Sequence, residues 1–268
     1  MKLLKYPIFL FALSAQVAIA NSPVLNVEDI VDGIDSLPEP NTSSMTLKME
    51  LVDNRGNTRV REMRSYSKVL ADKDMMAMYF DSPSNVRDTA YLSHDFEDDS
   101  VDDDSWLYLP AMRRTKRVSG RSEADAFMGS DFSYADINGI DIDHWDFSLV
   151  EESVLIDGVD CWVLDAVPSQ ARYKETVKET GYKKRRVWVR KDNFFVIRAE
   201  LTQTKSKKVK YLKIEGLKEI DGFWIADTIR MITTKGGDVL HESRMHFTDI
   251  KLNVALNDDL FSEFQLGK

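Results

Sequence analysis

The centre of the chain carries a group of side chains that could bind an anion. Arg113, Arg114, Lys116 and Arg117 fall within five positions. The planar guanidinium group of arginine donates paired hydrogen bonds to phosphate and carboxylate groups. Because the whole chain has a formal net charge of −9, so dense a basic cluster predicts contact with something anionic. The alternative is that Arg114 and Arg117 pair internally and fix the following segment to the fold. The candidate internal partners are Asp125, Asp131 and Asp136.

The N-terminal residues predict export of the protein. Two lysines precede an apolar run over residues 8–19, and Ala18 and Ala20 supply the small residues of a cleavage site. This pattern is typical of a secretory signal peptide, and the run is shorter than the roughly 20 residues that span a bilayer. We therefore expect a signal peptide over residues 1–20 and a mature chain that begins near Asn21.

Composition narrows the class of the mature protein. Its single cysteine, Cys161, cannot form an internal disulfide and is expected to be a small buried side chain. Residues 21–268 are long enough to bury a core of their own, and we expect one domain. Loss of the two N-terminal lysines leaves a net charge of about −11, so nucleic acid is not expected as a partner.

Catalytic and metal-binding patterns are weak in this sequence. It contains none of the spaced motifs of the common hydrolases, metalloproteases or phosphate-binding loops. His241 and His246 are an odd number of positions apart, so a strand would point them to opposite faces. The aspartates of residues 98–104 predict a solvated loop, with calcium binding as the alternative. We expect no enzyme activity, no cofactor and no metal.

Periodicity predicts a protein made mainly of antiparallel strands. Apolar residues recur with a period of two along most of the mature chain, and helical spacing is largely confined to residues 27–37. One strand is expected over residues 223–233, and two over 145–152 and 154–156. Turns rich in Gly, Asn and Asp join neighbouring runs, as in a meander. About ten or eleven strands with few helices predict a large curved antiparallel sheet or barrel.

Residues 122–140 break the strand pattern. They are rich in Ala, Gly, Ser and Asp with aromatic side chains between them, which predicts short helices and loops that cover the sheet. A curved sheet must bury its concave face, and two short helical segments give little cover. An apolar ligand could fill the space beneath them, or core side chains could, among which methionine is frequent.

Three sequence features together resemble the LolA-like group of outer-membrane lipoprotein-sorting proteins. They are an exported N-terminus followed by a helix and a hairpin, the run WLYLPAMRRTKRVSG from Trp106, and DAFMGSDFSYADI up to Ile137. The resemblance covers essentially the whole mature chain. It implies a half-open antiparallel β-barrel lidded by a few short helices over an apolar cavity. It also implies a location in the periplasm and carriage of a lipid or acyl-chain ligand.

The resemblance suggests roles for nine side chains. The predicted cavity and lid residues are Trp106, Tyr108, Phe127, Met128, Phe132 and Tyr134. The predicted contacts to a ligand head group or to a partner are Arg113, Arg114 and Arg117.

The function implied by the resemblance is that of a periplasmic carrier. We expect a monomer that passes a lipid or an acylated protein between membrane complexes and contacts membranes transiently. The expected partners are an inner-membrane RND-type exporter or an outer-membrane acceptor. A ligand-sensing periplasmic regulator of the same fold is the alternative.

Overall fold

The computed structural model describes residues 25–98, 101–139, 141–204 and 206–267. The signal peptide expected over residues 1–20 lies outside the described residues. Within them, the α-helices are α1 Val27–Asp35, α2 Tyr134–Asn138 and α3 Tyr173–Thr180. The strands are β1 Thr42–Asp53, β2 Thr58–Val69, β3 Lys73–Ser82, β4 Ala90–Phe96, β5 Asp104–Leu109, β6 Arg114–Val118, β7 Trp145–Ile156, β8 Val159–Pro168, β9 Tyr182–Arg190, β10 Val196–Gln203, β11 Lys208–Glu215, β12 Lys218–Ile220, β13 Phe223–Ile225, β14 Thr228–Lys235 and β15 Asp238–Leu252.

One open antiparallel sheet of thirteen strands dominates the described part of the chain. Its order is β6-β5-β4-β3-β2-β1-β15-β14-β11-β10-β9-β8-β7, and β12 pairs with β13 in a separate hairpin. Strands β6 and β7 are the two edges. The chain between these edges, here called the crossing segment (residues 119–139 and 141–144), therefore runs from one side of the opening to the other.

The main core lies on the inner face of the sheet, the face that the crossing segment covers. In β1, Leu47, Met49 and Leu51 alternate with more exposed residues and are buried in this core. Burying a side chain of this size stabilises the fold by about 1.5–3 kcal/mol. Methionines from four other strands join the same cluster, namely Met63, Met78, Met231 and Met245.

Helix α1 packs on the inner face through a close contact. It begins with a capping box in which Asn26 and Asp29 accept each other's backbone N–H groups. Ile30 is the residue of this helix that is fully buried. A side chain at Gly33 would place its Cβ 2.3 Å from the ring of Phe194, so only glycine allows this approach. No helix in the described part of the chain is long and apolar enough to cross a membrane.

The C-terminal tail covers part of the outer face of the sheet. Phe261 and Leu266 are buried against apolar residues of β3 and β4. The hydroxyl of Tyr79 donates a hydrogen bond of 2.7 Å to the carbonyl oxygen of Leu260. The outer face of β3 to β5 is thereby withdrawn from solvent, and strand β4 is buried on both sides.

The mainly β architecture expected from the sequence is confirmed. The described residues form fifteen strands, where about ten or eleven were expected. Strand β4 was not predicted, because Ala90, Tyr91 and Leu92 are all buried and leave no alternation to detect. Helix α3 was not predicted, because Thr176 is its only fully buried side chain and it has no apolar stripe. The strand expected over residues 223–233 is two strands, β13 and β14, and those expected within residues 145–156 form the single strand β7.

Replacing Phe261 with Ala should lower the free energy of unfolding by about 3 kcal/mol or more, because a buried aromatic side chain leaves a cavity. Phe261 is 4% exposed, whereas Phe264, three residues later, is 82% exposed. The matched control Phe264→Ala should change stability by less than about 0.5 kcal/mol. Urea unfolding followed by tryptophan fluorescence measures both, and equal effects would contradict the role given to the tail.

Candidate functional site

The crossing segment consists of short helical turns whose starts are fixed by their own side chains. Single 3-10 turns cover Gly120–Ala124, Phe127–Gly129 and Ile142–His144. Helix α2 begins with a capping box, in which Ser133 accepts from the Asp136 N–H and Asp136 accepts from the Ser133 N–H. These turns are closed by local hydrogen bonds, but each is too short to bury a core of its own, so the segment takes its apolar contacts from the sheet.

Four of the predicted lid residues lie together on the inner face. Phe127 is fully buried, and its ring centroid is 5.5 Å from that of Tyr91 and 5.4 Å from that of Tyr134. Phe132 and Tyr134 are buried in the same cluster, and Met128 packs against it. Burial raises the pKa of Tyr134 to about 12. We call Phe127, Met128, Phe132 and Tyr134 the plug.

A buried carboxylate holds the middle of the plug to strands β14 and β15. Asp131 accepts hydrogen bonds of 2.5 Å from the Thr233 hydroxyl and 2.7 Å from the Ser243 hydroxyl. The Nδ1 atom of His241 also contacts this carboxylate. In return, the Asp131 N–H donates to the Ser243 oxygen at 2.9 Å. Four polar contacts therefore connect Asp131, which lies between the plug residues Met128 and Phe132, to two strands in the middle of the sheet.

A second buried carboxylate holds α2 to strands β9 and β11. Asp136 lies 3.1 Å from the ammonium of Lys210, and both side chains are almost fully buried. The Tyr182 hydroxyl donates to the same carboxylate at 2.8 Å. A buried ion pair is stable only when such additional hydrogen bonds satisfy its remaining atoms. The two aspartates on either side of Phe132 and Tyr134 thus act as anchors of the plug.

Trp106 and Tyr108 are not brought together with the plug. They lie on the outer face of β5 and pack in the cluster that the C-terminal tail covers. The inward position of this strand belongs to Leu107, which is buried in the main core. Strict alternation within WLYL was the signal that could have separated these side chains, since neighbours in a strand point to opposite faces.

The three predicted arginines lie at the edge hairpin of the sheet and differ in their surroundings. Arg113 has a positive φ of 47° and Arg114 begins β6, and both side chains are exposed. Arg117 pairs with Asp104. Internal pairing with Asp125, Asp131 or Asp136 is thus not what the structure shows. Arg113 and Arg114 have no ion-pair partner among the described residues.

Three cations on the inner face were missed by the sequence reasoning. Lys210 pairs with Asp136, as described above. Arg185 lies over the ring of Trp145, with its guanidinium carbon 5.3 Å from the ring centroid. Burial lowers the pKa of Arg61, whose Nη1 atom is buried without a partner among the described residues. The sequence did hold a signal, because residues two positions apart in a strand point to the same face. Each cation is two positions before an apolar residue of the main core: Arg61 before Met63, Arg185 before Val187, and Lys210 before Leu212.

Three solved structures resemble this fold over nearly the whole chain. One is described as an outer membrane lipoprotein-sorting protein domain from Vibrio parahaemolyticus, with a TM-score of 0.78 and 28% identity over 90% of this chain and 97% of that chain. A DUF1329 family protein from Desulfovibrio piger has a TM-score of 0.79 and 29% identity over 89% and 96%. A LolA superfamily protein from Nitrosomonas europaea, at 18% identity, a TM-score of 0.65 and coverage of 90% and 100%, shows the fold alone.

An open antiparallel sheet with short helical turns across its inner face defines the fold class as LolA-like. A family model described as "Uncharacterized protein" matches residues 72–268. The chain belongs to the family that this model describes, and its resemblance to the LolA-like lipoprotein-sorting proteins is confirmed. No curated protein matches the chain at a significant level.

Replacing Asp136 with Ala should lower the free energy of unfolding by about 3–5 kcal/mol, because Lys210 would remain buried without its counter-ion. The double variant Asp136→Ala with Lys210→Met removes that buried charge and should recover part of the loss. Thermal unfolding measured by circular dichroism tests both, since about 1 kcal/mol shifts Tm by about 2–4 °C in a chain of this size. A double variant no more stable than the single one would contradict the pairing.

Proposed function

We propose that this protein is a periplasmic carrier that binds a lipid or a lipoprotein acyl chain and passes it between membrane complexes. The observation that carries the proposal is the plug, in which apolar side chains cover an apolar inner face and are held by polar contacts at Asp131 and Asp136. Similarity to a lipoprotein-sorting protein domain from Vibrio parahaemolyticus supports it. The proposal includes a signal peptide over residues 1–20, a single lipid-binding domain over 21–268, and no catalytic role.

The proposed binding step is an exchange between the plug and the ligand. Moving the plug costs free energy in two ways, because it exposes apolar side chains and because it breaks the buried hydrogen bonds of Asp131, which bonds to water only partly replace. An acyl chain that enters the vacated space covers the same apolar surface of the sheet. Phe127 and Met128 stand next to the positive-φ residue Gly129, where the chain changes direction. They are the proposed mobile part of the lid.

The proposed contacts to an anionic head group or a partner are the arginines of the edge hairpin. Arg113 and Arg114 are exposed and lie at the end of an edge strand, and Arg117 is already paired with Asp104. The proposed partners are an inner-membrane RND-type exporter or an outer-membrane acceptor. A basic hairpin on an acidic protein favours an oriented encounter with an acidic surface.

The carrier proposal predicts that Asp131→Ala slows release of a bound fluorescent fatty-acyl probe by about tenfold, because the plug that competes with the probe for the inner face loses its contacts to Thr233, His241 and Ser243. The control Asp125→Ala changes an exposed aspartate of the same segment and should leave the release rate unchanged. Stopped-flow displacement measures the rates. Absence of probe binding, together with no lipid in organic extracts of protein purified from the periplasm, would contradict the proposal.

The arginine proposal predicts that Arg113→Ala with Arg114→Ala weakens binding to vesicles of anionic lipid at least severalfold and shifts Tm by no more than about 2 °C. Both side chains are exposed, so their loss removes charge without opening the core. Lys235→Ala, at a turn elsewhere on the sheet, serves as the control for loss of one surface charge. Cosedimentation at low salt measures binding, and unchanged binding with a large fall in Tm would show that the arginines are structural.

A further inference from the structure

A polar cleft lies beside β6, one of the two edge strands of the sheet. It has a volume of about 320 Å³ and is bordered by the end of β4, residues 101–103, β6, the crossing segment and α3. Beyond Asp95 and Asp141 it continues as a groove of about 430 Å³ beside α1 and β3, where Ile34, Met76 and Ile142 add apolar surface. The carboxylates that line the cleft are Asp95, Asp102, Asp103, Glu123, Asp141, Glu175 and Glu179.

These carboxylates are crowded and poorly compensated. Burial, followed by repulsion from Asp103 and Asp141, raises the pKa of Asp95 to about 7. Burial and the neighbouring Glu179 raise the pKa of Glu123 to about 7. The inner part of the cleft would therefore be stabilised by a positive charge from outside. No three acidic, histidine or cysteine side chains among the described residues are placed to hold a metal ion, which favours an organic cation.

Unpartnered buried polar atoms line the deepest part of the cleft, a chamber of about 60 Å³. Thr176 is 1% exposed and Trp145 is 5% exposed, yet Thr176 Oγ1 and Trp145 Nε1 have no hydrogen-bond partner among the described residues. Buried polar groups are normally paired, so a ligand or water belongs here. His144 Nδ1 lies 3.2 Å from Asp141, and its buried Nε2 is also unpartnered. The chamber is large enough to hold a group bigger than a single water molecule.

Positive side chains stand at the outer mouth of the same cleft. Arg121 and Lys178 are both exposed and line it, and the Lys178 ammonium lies over Gly120, where an added Cβ would be 2.8 Å away. Neither has an ion-pair partner among the described residues. The chamber is lined by carboxylates and by no lysine or arginine, whereas the mouth carries exposed side chains of both signs. Lys178 and Arg121 are the cations there that can meet an anionic group while an ammonium occupies the chamber.

We propose that this cleft binds the head group of an aminoalkyl phosphate lipid, with the primary ammonium in the chamber at Thr176 and Asp95 and the phosphate at Lys178 and Arg121. The inference rests on the proposed carriage of a lipid and names its head-group class. An ammonium donates three hydrogen bonds, for which the Asp95 carboxylate, Thr176 Oγ1 and His144 Nε2 are acceptors. The phosphate suits lysine and arginine at the mouth.

Binding should depend on pH because Asp95 must be ionised to meet the ammonium. The titratable and charged groups that share the cleft or groove with Asp95 come from every surrounding element. They are Asp35 from α1, Glu39 after it, Lys68 from β2, Asp74 from β3, Glu97 after β4, Asp102 and Asp103 before β5, Arg117 from β6, Arg121, Glu123, Asp141, Asp143 and His144 from the crossing segment, Arg172 before α3, and Glu175, Lys178 and Glu179 from α3. With a pKa of about 7, the ionised fraction of Asp95 rises about tenfold from pH 6 to pH 8. We expect the affinity for the zwitterionic lipid to rise by about the same factor.

Isothermal titration of the mature protein with lysophosphatidylethanolamine and with lysophosphatidylglycerol of the same acyl chain tests the proposal. The ethanolamine lipid should bind at least about tenfold more tightly than the glycerol lipid at pH 8. Its binding at pH 6 should release protons, because most of Asp95 is protonated in the free protein at that pH. Thr176→Val and Asp95→Asn should each abolish most of this preference while leaving binding of the glycerol lipid unchanged. Asp238→Asn, at an exposed turn, is the matched control and should leave the preference intact.

Stability measurements distinguish loss of binding from loss of folding. The raised pKa of Asp95 means that the folded state holds its proton, so this group lowers stability as pH rises from about 4 to about 7. Asp95→Asn should therefore raise Tm at pH 8 and leave it nearly unchanged at pH 4. A variant that fails to fold would contradict this expectation.

The outcomes separate the head-group inference from the carrier proposal. Equal affinity for the two lipids would overturn the inference and leave the carrier proposal standing. Tight binding of spermidine without preference for the ethanolamine lipid would show a site for free polycations, and would also overturn it. Binding of neither lipid would overturn both.

Discussion

The burial of two carboxylates between the crossing segment and the sheet determines how the inner face is covered. Asp131 and Asp136 lie on a segment of short turns, and each meets its partners on strands that are remote in sequence. Once these groups are desolvated, any other position of the segment leaves a charge unpaired, which is costly. The aromatic side chains of the plug give the segment its apolar contact area, and the carboxylates determine where it sits.

Much of the sheet could be predicted because one of its faces is usually more exposed than the other. Period-two alternation is clear in β1, where Leu47, Met49 and Leu51 are buried. It fails in β4, which is covered by the main core on one side and by the C-terminal tail on the other. It also fails for α3, whose position depends on packing against its neighbours rather than on an apolar stripe. Elements whose exposure is set by remote segments could not be read locally.

The sequence predicted which residues belong to the candidate site better than it predicted where they lie. The motif that contains Phe127, Phe132 and Tyr134 does cover the inner face, but Trp106 and Tyr108 lie on the outer face. The alternation of side chains along β5 indicates this outward position, whereas the family motif groups Trp106 and Tyr108 with the lid residues. The partner of Arg117 could not be predicted, because Asp104 approaches it only through the pairing of β5 with β6, and β6 was not recognised as a strand.

The pairing of β1 with β15 has a consequence for the order of events during synthesis. The Asn41 N–H donates to the Asn253 side chain across 212 positions, and the two strands pair along their length beside this bond. Until the final strand has left the ribosome, β1 keeps one edge without a neighbour, and the two halves of the sheet are joined only through the crossing segment. A strand pairing of such long sequence separation forms slowly, although the other neighbours in the sheet are close in sequence. The newly made chain therefore remains without its complete sheet for longer than a protein built from local hairpins alone.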